Sequence, residues 1–280
     1  MITLIEVLKR SADFLKDKGV TRARRVAEEL FAHVLKVKRL DLYLQYDRPM
    51  IESELEEIRG LLRRASRNEP FEQIIGKVSF CHCDIKVTSD VLIPRPETEI
   101  LVETICRQLK DESNLVVWDI CTGSGYIGIA IKKAIPALCV TLSDISDKAL
   151  GVAAENAAGN GVEVELKQGD LLAPFQGLKA DVVICNPPYI SESEYLSLDP
   201  CVRDFEPKCA LVGGAEGVEF YRRLAADLPP YLNPGAKLFF EIGTGQGEAL
   251  KSIFHSPCWR EKRVEKDWAG HDRFFFLEFE

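Results

Sequence analysis

An Asn-Pro-Pro-Tyr tetrapeptide, residues 186–189, directly follows the apolar run 181–185. The two prolines fix φ and remove two backbone donors, so the chain leaves the predicted strand as a stiff, extended loop. The loop presents the Asn186 amide, free carbonyls and the Tyr189 ring at the carboxyl end of a strand, where open α/β sheets bind ligands. Such acceptors beside a ring suit a planar group that carries an NH2, such as a carboxamide or a base amine. The alternative is that the prolines only end a strand and that Tyr189 only packs.

A glycine-rich segment upstream has the pattern of a nucleotide-binding turn. Gly123, Gly125 and Gly128 form G-x-G-x-x-G after the apolar residues 116–120, and glycine lets a backbone approach a ligand closely. Asp144 follows Gly125 by 19 residues and ends a second apolar run, where a carboxylate binds ribose hydroxyls. The pattern by itself fits a dinucleotide or another adenosine-containing cofactor.

Two further carboxylates bear on the choice of cofactor. Asp119 stands directly ahead of the glycines, where it would repel a pyrophosphate and suit a cation such as S-adenosylmethionine. The alternative for Asp119 is that it caps the N–H groups of the loop itself. Asp170 ends the third predicted strand and is placed either to bind an adenine amine or only to form a turn.

These residues need a scaffold that brings strand ends together. Short apolar runs alternate with helical patterns from residue 115 onward, which predicts an α/β fold with a doubly wound, mostly parallel seven-stranded sheet. The last two strands lack an intervening helix and predict a closing antiparallel hairpin. The predicted strands are 115–120, 138–143, 162–168, 180–185, 235–242, 262–267 and 273–279. The predicted helices are 126–134, 146–159, 216–226 and 246–254.

The chain divides into three predicted parts. Residues 1–69 carry helical stripes of apolar residues and form a small all-α N-terminal domain, whose basic outer faces are either solvated or dock a partner. Thr3 and Glu6 fit a capping box at its first helix. Residues 70–93 predict a short β-hairpin linker with strands at 71–75 and 78–87. Residues 94–280 form the predicted catalytic domain.

The composition of the 280 residues narrows the class of partner and the compartment. The formal net charge of −8 argues against binding a nucleic-acid backbone through bulk charge. The nine cysteines are odd in number and irregularly spaced, which is atypical of a disulfide framework or a metal site. Neither a signal-peptide pattern nor a membrane-length apolar run is present, so we expect no membrane association and a cytoplasmic protein.

Taken together, the motifs resemble those of class I S-adenosylmethionine-dependent methyltransferases. The resemblance is closer to the protein-(glutamine-N5) methyltransferases that modify peptide-chain release factors, and it covers nearly the whole chain. Its most particular parts are the runs 92–99 and 267–273, which read Leu-Ile-Pro-Arg-Pro-Glu-Thr-Glu and Asp-Trp-Ala-Gly-His-Asp-Arg. The tetrapeptide at 186–189 is shared with DNA adenine methyltransferases.

The resemblance implies an S-adenosylmethionine cofactor and, as substrates, the Gly-Gly-Gln glutamine of class I release factors. It implies that the Asn186 side chain and the Pro187 carbonyl are catalytic, and that Pro188 and Tyr189 complete the wall of the substrate pocket. It also implies a set of cofactor-binding residues: Asp119, Cys121, Thr122, Gly123, Ser124, Gly125, Asp144, Asp170, Leu171 and Asn186.

Two residues depart from the pattern of this family. Cys121 stands where the family has glycine, and a thiol is tolerable there if φ is negative. Leu171 stands where the family often has an aromatic residue, so we expect apolar contact with adenine in place of stacking.

Four other functions stay open at this point. An adenine-N6 methyltransferase acting on DNA or RNA would use the same tetrapeptide on a flipped base. A methyltransferase for a ribosomal-protein glutamine would share the whole site. A nicotinamide oxidoreductase would use the glycine-rich turn but leaves residues 186–189 unexplained. A non-catalytic partner-binding protein would explain neither motif.

Overall fold

The computed structural model describes residues 2–280, which form α-helices and β-strands in the alternation that the sequence predicts. The helices are α1 (Leu4–Asp17), α2 (Ala23–Leu35), α3 (Glu52–Ala65), α4 (Phe71–Ile75), α5 (Pro96–Leu109), α6 (Tyr126–Ala134), α7 (Asp147–Gly159), α8 (Glu192–Tyr195), α9 (Pro200–Arg203), α10 (Glu219–Asp227) and α11 (Gly247–Ile253). The strands are β1 (Lys77–Phe80), β2 (Cys83–Lys86), β3 (Val116–Ile120), β4 (Cys139–Asp144), β5 (Glu165–Gln168), β6 (Ala180–Cys185), β7 (Leu232–Glu241), β8 (Trp259–Lys266) and β9 (Asp272–Phe279).

The chain folds as two compact units, and the smaller one is helical. It contains the residues up to Gly76 together with the distant segment Asp199–Phe205. The apolar stripes of α1, α2 and α3 meet in one core, and the Glu6 carboxylate caps α1 by accepting the Thr3 N–H at 3.0 Å, as the capping-box pattern predicts. Hydrogen bonds hold the distant segment, among them one from the Thr21 hydroxyl to Asp199 and one from the Gln73 amide to the Phe205 carbonyl.

The larger unit contains Lys77–Leu198 and Glu206–Glu280 and is built on a seven-stranded sheet. The strand order is β5-β4-β3-β6-β7-β9-β8; the first five strands are parallel, and β9 and β8 add antiparallel partners. Apolar cores cover both faces, which is why the central strands read as continuous apolar runs. The fold prediction is therefore confirmed, and each end of the seven predicted sheet strands and of the four predicted helices after residue 115 lies within three residues of the observed one.

One local prediction is wrong. Residues 71–75 form helix α4, and the hairpin consists of β1 and β2 alone, joined by residues 81–82. Pro70 precedes α4, and Gly76 ends it with φ of 83°, which are the usual helix start and stop residues. Ile74 is buried in the helical core, so packing against α2 and α3 overrides the β-propensity of its neighbours. The hairpin itself groups with the larger unit.

No helix among residues 2–280 is both long and apolar enough to cross a bilayer.

Candidate active site

The two motif loops leave neighbouring parallel strands at one edge of the sheet. Ile120 at the end of β3 is paired in register with Cys185 at the end of β6, so residues 121–128 and 186–189 emerge side by side. A cavity of about 330 Å³ lies between them. It is lined by eight of the residues predicted for the site: Cys121, Thr122, Gly123, Asp144, Asp170, Leu171, Asn186 and Pro188. The other five predicted residues, Asp119, Ser124, Gly125, Pro187 and Tyr189, are outside the lining.

The cofactor loop, residues 121–128, has positive φ at several positions. Gly123 and Gly125 have φ of 56° and 81°, and Cys121 has φ of 59°. The condition set for Cys121, a negative φ, is therefore not met: the thiol-bearing residue adopts the conformation for which glycine is favoured. A Cβ at Gly125 would lie 2.9 Å from the Ile129 side chain of α6 and 3.1 Å from the Leu142 side chain of β4, so this glycine lets the start of α6 pack closely on the sheet.

Asp119 lies beneath the loop rather than in the cavity. One carboxylate oxygen, Oδ2, accepts the Thr122 hydroxyl at 2.6 Å and the Gly128 N–H at 3.0 Å. These contacts fit the loop-capping alternative for Asp119. The other oxygen, Oδ1, is buried without a hydrogen-bond partner. Burial, with a smaller contribution from Asp144, raises the pKa of Asp119 to about 7.

Asp144 ends β4 and lines the cavity, as the ribose prediction requires. Its Oδ2 accepts the Gly123 N–H at 2.9 Å, and its Oδ1 accepts the Ser146 N–H at 2.9 Å. Burial raises the pKa of this carboxyl group. The carboxylate retains acceptor capacity for a ligand hydroxyl, since each oxygen has two lone pairs and each accepts one of these bonds.

Asp170 and Leu171 close the cavity from the end of β5. The Asp170 carboxylate pairs with the Arg223 guanidinium at 2.7 Å, so its charge is partly compensated. Leu171 is buried and supplies an apolar wall. Carboxylates beside an apolar wall fit an adenosine group attached to a cationic tail. This combination of groups suits S-adenosylmethionine better than a pyrophosphate.

Hydrogen bonds from neighbouring segments hold the acceptor loop, residues 186–189, and the following Ile190 in one conformation. The Ile190 N–H donates to the Leu211 carbonyl at 3.0 Å, and the Gly213 N–H returns to the Ile190 carbonyl at 2.9 Å. The Gln246 amide binds the Tyr189 carbonyl at 3.0 Å. Within residues 2–280 no protein group donates to the carbonyl of Pro187, a buried residue outside the cavity lining.

The Asn186 side chain lines the cavity, and its amide is oriented. The Nδ2 atom donates to the Tyr126 hydroxyl at 3.0 Å. The Oδ1 atom of Asn186 therefore remains free to accept a hydrogen bond from a ligand. Sequence reasoning placed Tyr126 at the start of a helix and missed this contact. The available signal was a large aromatic directly after Gly125, where a bulky side chain must lie against the cavity.

Tyr189 and Glu241 lie behind the acceptor loop. The half-buried Tyr189 hydroxyl is 3.5 Å from Glu241 Oε1, and the Thr98 hydroxyl donates to Glu241 Oε2 at 2.7 Å. Burial raises the pKa of Glu241 to about 7. The Arg95 guanidinium, from the run 92–99, pairs with buried Glu206 at 2.5 Å and braces the chain there rather than lining the cavity.

Comparison with known proteins places this architecture in a family. The PrmC N-terminal domain matches residues 6–76, and the methyltransferase small domain matches residues 96–198. A release factor glutamine methyltransferase of Chlamydia trachomatis is 42% identical over 98% of this chain and 93% of its own length. One from Geobacter sulfurreducens is 37% identical over 97% and 95%.

The chain belongs to the release factor glutamine methyltransferase family. Solved structures share its fold at low identity: a methyltransferase from Pyrococcus furiosus (19% identity, TM-score 0.53, 80% of this chain and 98% of that one) and the 16S rRNA N2 G1207 methyltransferase of T. thermophilus (13%, TM-score 0.51, 73% and 50%). Membership of the release factor glutamine methyltransferase family confirms the predicted enzyme class and S-adenosylmethionine as the methyl donor.

Proposed function

We propose that this protein methylates the side-chain amide nitrogen (N5) of the glutamine in the Gly-Gly-Gln motif of class I peptide-chain release factors. The observation that carries the proposal is the Asn186 side chain at the cavity, with its NH2 bound to Tyr126 at 3.0 Å and its oxygen left to accept. The curated relatives are release factor glutamine methyltransferases over almost their whole length, which supports this substrate.

An amide nitrogen is a poor nucleophile because its lone pair is delocalised into the carbonyl. Two acceptors, Asn186 Oδ1 and the Pro187 carbonyl, hold the two N–H bonds of an incoming glutamine and turn its lone pair toward the cofactor side of the cavity. Bound S-adenosylmethionine would supply the methyl group: the bond from nitrogen to the methyl carbon forms as the methyl–sulfur bond breaks, S-adenosylhomocysteine leaves, and the cationic nitrogen then loses one proton. Positive charge grows on the nitrogen during attack, so these two oxygens stabilise the transition state more than the ground state.

The proposed cofactor contacts follow from the loop geometry. We assign Asp144 to the ribose hydroxyls, Asp170 to an adenine amine and Leu171 to the adenine face; all three line the cavity, which supports this assignment. Asp119, whose Oδ1 is buried and unpaired, lies beneath the loop, and its ionised form would add a negative charge that favours a cationic ligand. Thr122 and Gly123 line the same cavity, whereas Ser124 and Gly125 belong to the same loop but lie outside the lining.

We further propose that the helical unit docks the protein substrate. A groove of about 590 Å³ lies between α1 and α2, with an apolar floor that includes Ile5, Leu8 and Ala12. Its other lining residues include five bases and one acid: Lys9, Lys16, Arg22, Arg24, Arg25 and Asp13. A basic rim on a protein of net charge −8 is complementary to an acidic surface with apolar side chains.

The deciding experiment offers the protein three substrates with labelled S-adenosylmethionine: a release factor, the same factor with its motif glutamine replaced by alanine, and plasmid DNA. We expect one added methyl on the motif glutamine, located by mass spectrometry, and none on the other two. Label in the DNA would instead support the adenine-N6 alternative. Label in the glutamine-free factor would refute the assigned acceptor.

Docking is tested by charge reversal. Lys16→Glu in the groove should raise the KM for the release factor roughly two- to fivefold, the range of an exposed ion pair, with kcat retained. Lys110→Glu at the exposed end of α5 is the matched control, because it changes the net charge equally on the other unit. Equal KM values for the two variants would contradict docking at the groove.

A further inference from the structure

An asparagine amide has two ends of nearly the same shape and opposite chemistry. The oxygen accepts hydrogen bonds and the NH2 group donates them, and the terminal torsion that exchanges them is soft. The methyl transfer proposed above requires the oxygen of Asn186 to face the incoming amide. A half-turn of this side chain would place two donors against the N–H bonds of the substrate, so a residue that fixes the amide matters as much as Asn186 itself.

Tyr126 holds the Asn186 amide in one orientation. Its hydroxyl accepts the Asn186 Nδ2–H at 3.0 Å, and its ring is 3% exposed at the start of α6. The Phe80 ring of the hairpin packs edge-on against it, with centroids 4.9 Å apart and planes at 83°. Phe80 is fully buried in turn, so the phenol has little freedom to swing away from Asn186.

The chemistry of the two groups sets the direction of this hydrogen bond. The Asn186 NH2 group can only donate, so the phenol oxygen accepts. Burial keeps the pKa of Tyr126 well above its usual value, so the side chain stays a neutral phenol.

We propose that Tyr126 is a positioning residue for the transfer: by accepting a hydrogen bond from the Asn186 NH2 group it holds the amide with Oδ1 facing the substrate. The proposal rests on the proposed function, because it assigns a role in that reaction. Tyr126 itself makes no bond to the reacting nitrogen. Its contribution is to hold one of two amide orientations.

Removing the hydroxyl alone tests the role. Tyr126→Phe should lower the single-turnover rate of methyl transfer about 10- to 100-fold, the effect of losing the orientation of a reacting group, with KM for the release factor nearly unchanged. The matched control is Tyr221→Phe, which removes an equally buried hydroxyl bonded to the Glu241 carbonyl at 2.6 Å. We expect that variant to keep the rate even where its melting temperature falls.

A double-mutant cycle separates positioning from general damage. In the Asn186→Ala background Tyr126→Phe should have no further effect on the rate, because there is no amide left to orient. An equal loss in both backgrounds would overturn the proposal, as would a wild-type rate for Tyr126→Phe.

Side-chain amide NMR reads the orientation without any turnover. The Asn186 NH2 signal, assigned by its absence in Asn186→Ala, should exchange slowly with solvent in the wild type and in Tyr221→Phe, and fast in Tyr126→Phe. Unchanged exchange in Tyr126→Phe would refute the proposal. If the wild type failed to methylate a release factor, the proposed function would fall, and this exchange measurement would still decide whether Tyr126 fixes Asn186.

Discussion

The two loops of the site are neighbours on one sheet edge and obtain their shapes by opposite means. The cofactor loop depends on conformational freedom, with positive φ at Cys121, Gly123 and Gly125, and carboxylates bind its backbone and hydroxyl groups. The acceptor loop depends on restriction, because two prolines limit its backbone. Glycines of the following segment lie against it: a side chain at Gly213 would approach the Pro188 carbonyl to 2.2 Å.

This difference matches what each loop has to do. A loop that wraps a flexible cofactor needs close backbone approach, whereas one that orients a weak nucleophile needs two oxygens at fixed positions. Damage to the first should therefore appear in cofactor affinity and stability. Damage to the second should appear in the rate of the chemical step.

The largest effect is expected at Asn186. Asn186→Ala removes one of two acceptors and should lower single-turnover methyl transfer about 100-fold or more, the scale of a lost transition-state hydrogen bond. The affinity for S-adenosylmethionine, measured by calorimetry, should fall much less. A near-normal transfer rate would refute the catalytic role of Asn186.

Gly213→Ala tests the packing on the acceptor loop. Its methyl group forces the Pro188 carbonyl to move, and we expect a stability loss of about 1–3 kcal/mol by chemical denaturation. The accompanying shift of the loop should slow transfer roughly tenfold. Gly60→Ala on α3 meets no atom within 4 Å and serves as the control, with stability retained or raised. Wild-type stability and rate in Gly213→Ala would contradict the restriction argument.

Cys121→Val tests the conformational freedom of the cofactor loop. A β-branched residue at φ of 59° is strained, so the free energy of unfolding should fall by about 1–2 kcal/mol, and S-adenosylmethionine binding should weaken. Cys139→Val is the control, because Cys139 is exposed in β4, where β-branched residues are well accommodated. Equal stability of the two variants in a denaturation series would show that the loop tolerates the strain.

The last test is a pH dependence of stability. The pKa of Asp119 is raised from 3.8 to about 7 in the folded state, so between these values the folded protein binds more protons than the unfolded chain. The stabilisation of the folded state by the raised pKa of Asp119 is complete below about pH 4 and is lost as the pH rises through about 7. Asp119→Asn should therefore flatten the decline of stability across this window. Parallel curves for variant and wild type would rule out this linkage.

Much of the fold was predictable because local pattern and tertiary structure agree. The alternation of apolar runs and helices after residue 115 fixed the sheet, and the Gly and Pro motifs located both loops. Residues 71–75 were misassigned because burial of Ile74 among helices outweighed local propensity.

The parts of the site that the sequence did not predict are contacts between residues far apart in the chain. Asn186 meets Tyr126 across 60 positions, and Thr98 meets Glu241 across 143. No periodicity encodes such pairs, since they depend on which strand ends the topology brings together. The positive φ of Cys121 was hidden for a related reason: its side chain type gives no indication of the left-handed turn.

The segment Asp199–Phe205 has a practical consequence for anyone who trims this protein. The chain leaves the larger unit after Leu198, joins the helical unit, and returns at Glu206. A truncation that begins at Lys77 would strip Asp199 and Phe205 of their partners Thr21 and Gln73 while leaving their own segment behind. In such a fragment the segment Asp199–Phe205 has lost its partners and lies eight residues before Gly213. A loss of activity in the fragment would therefore say little about whether the helical unit recognises the substrate.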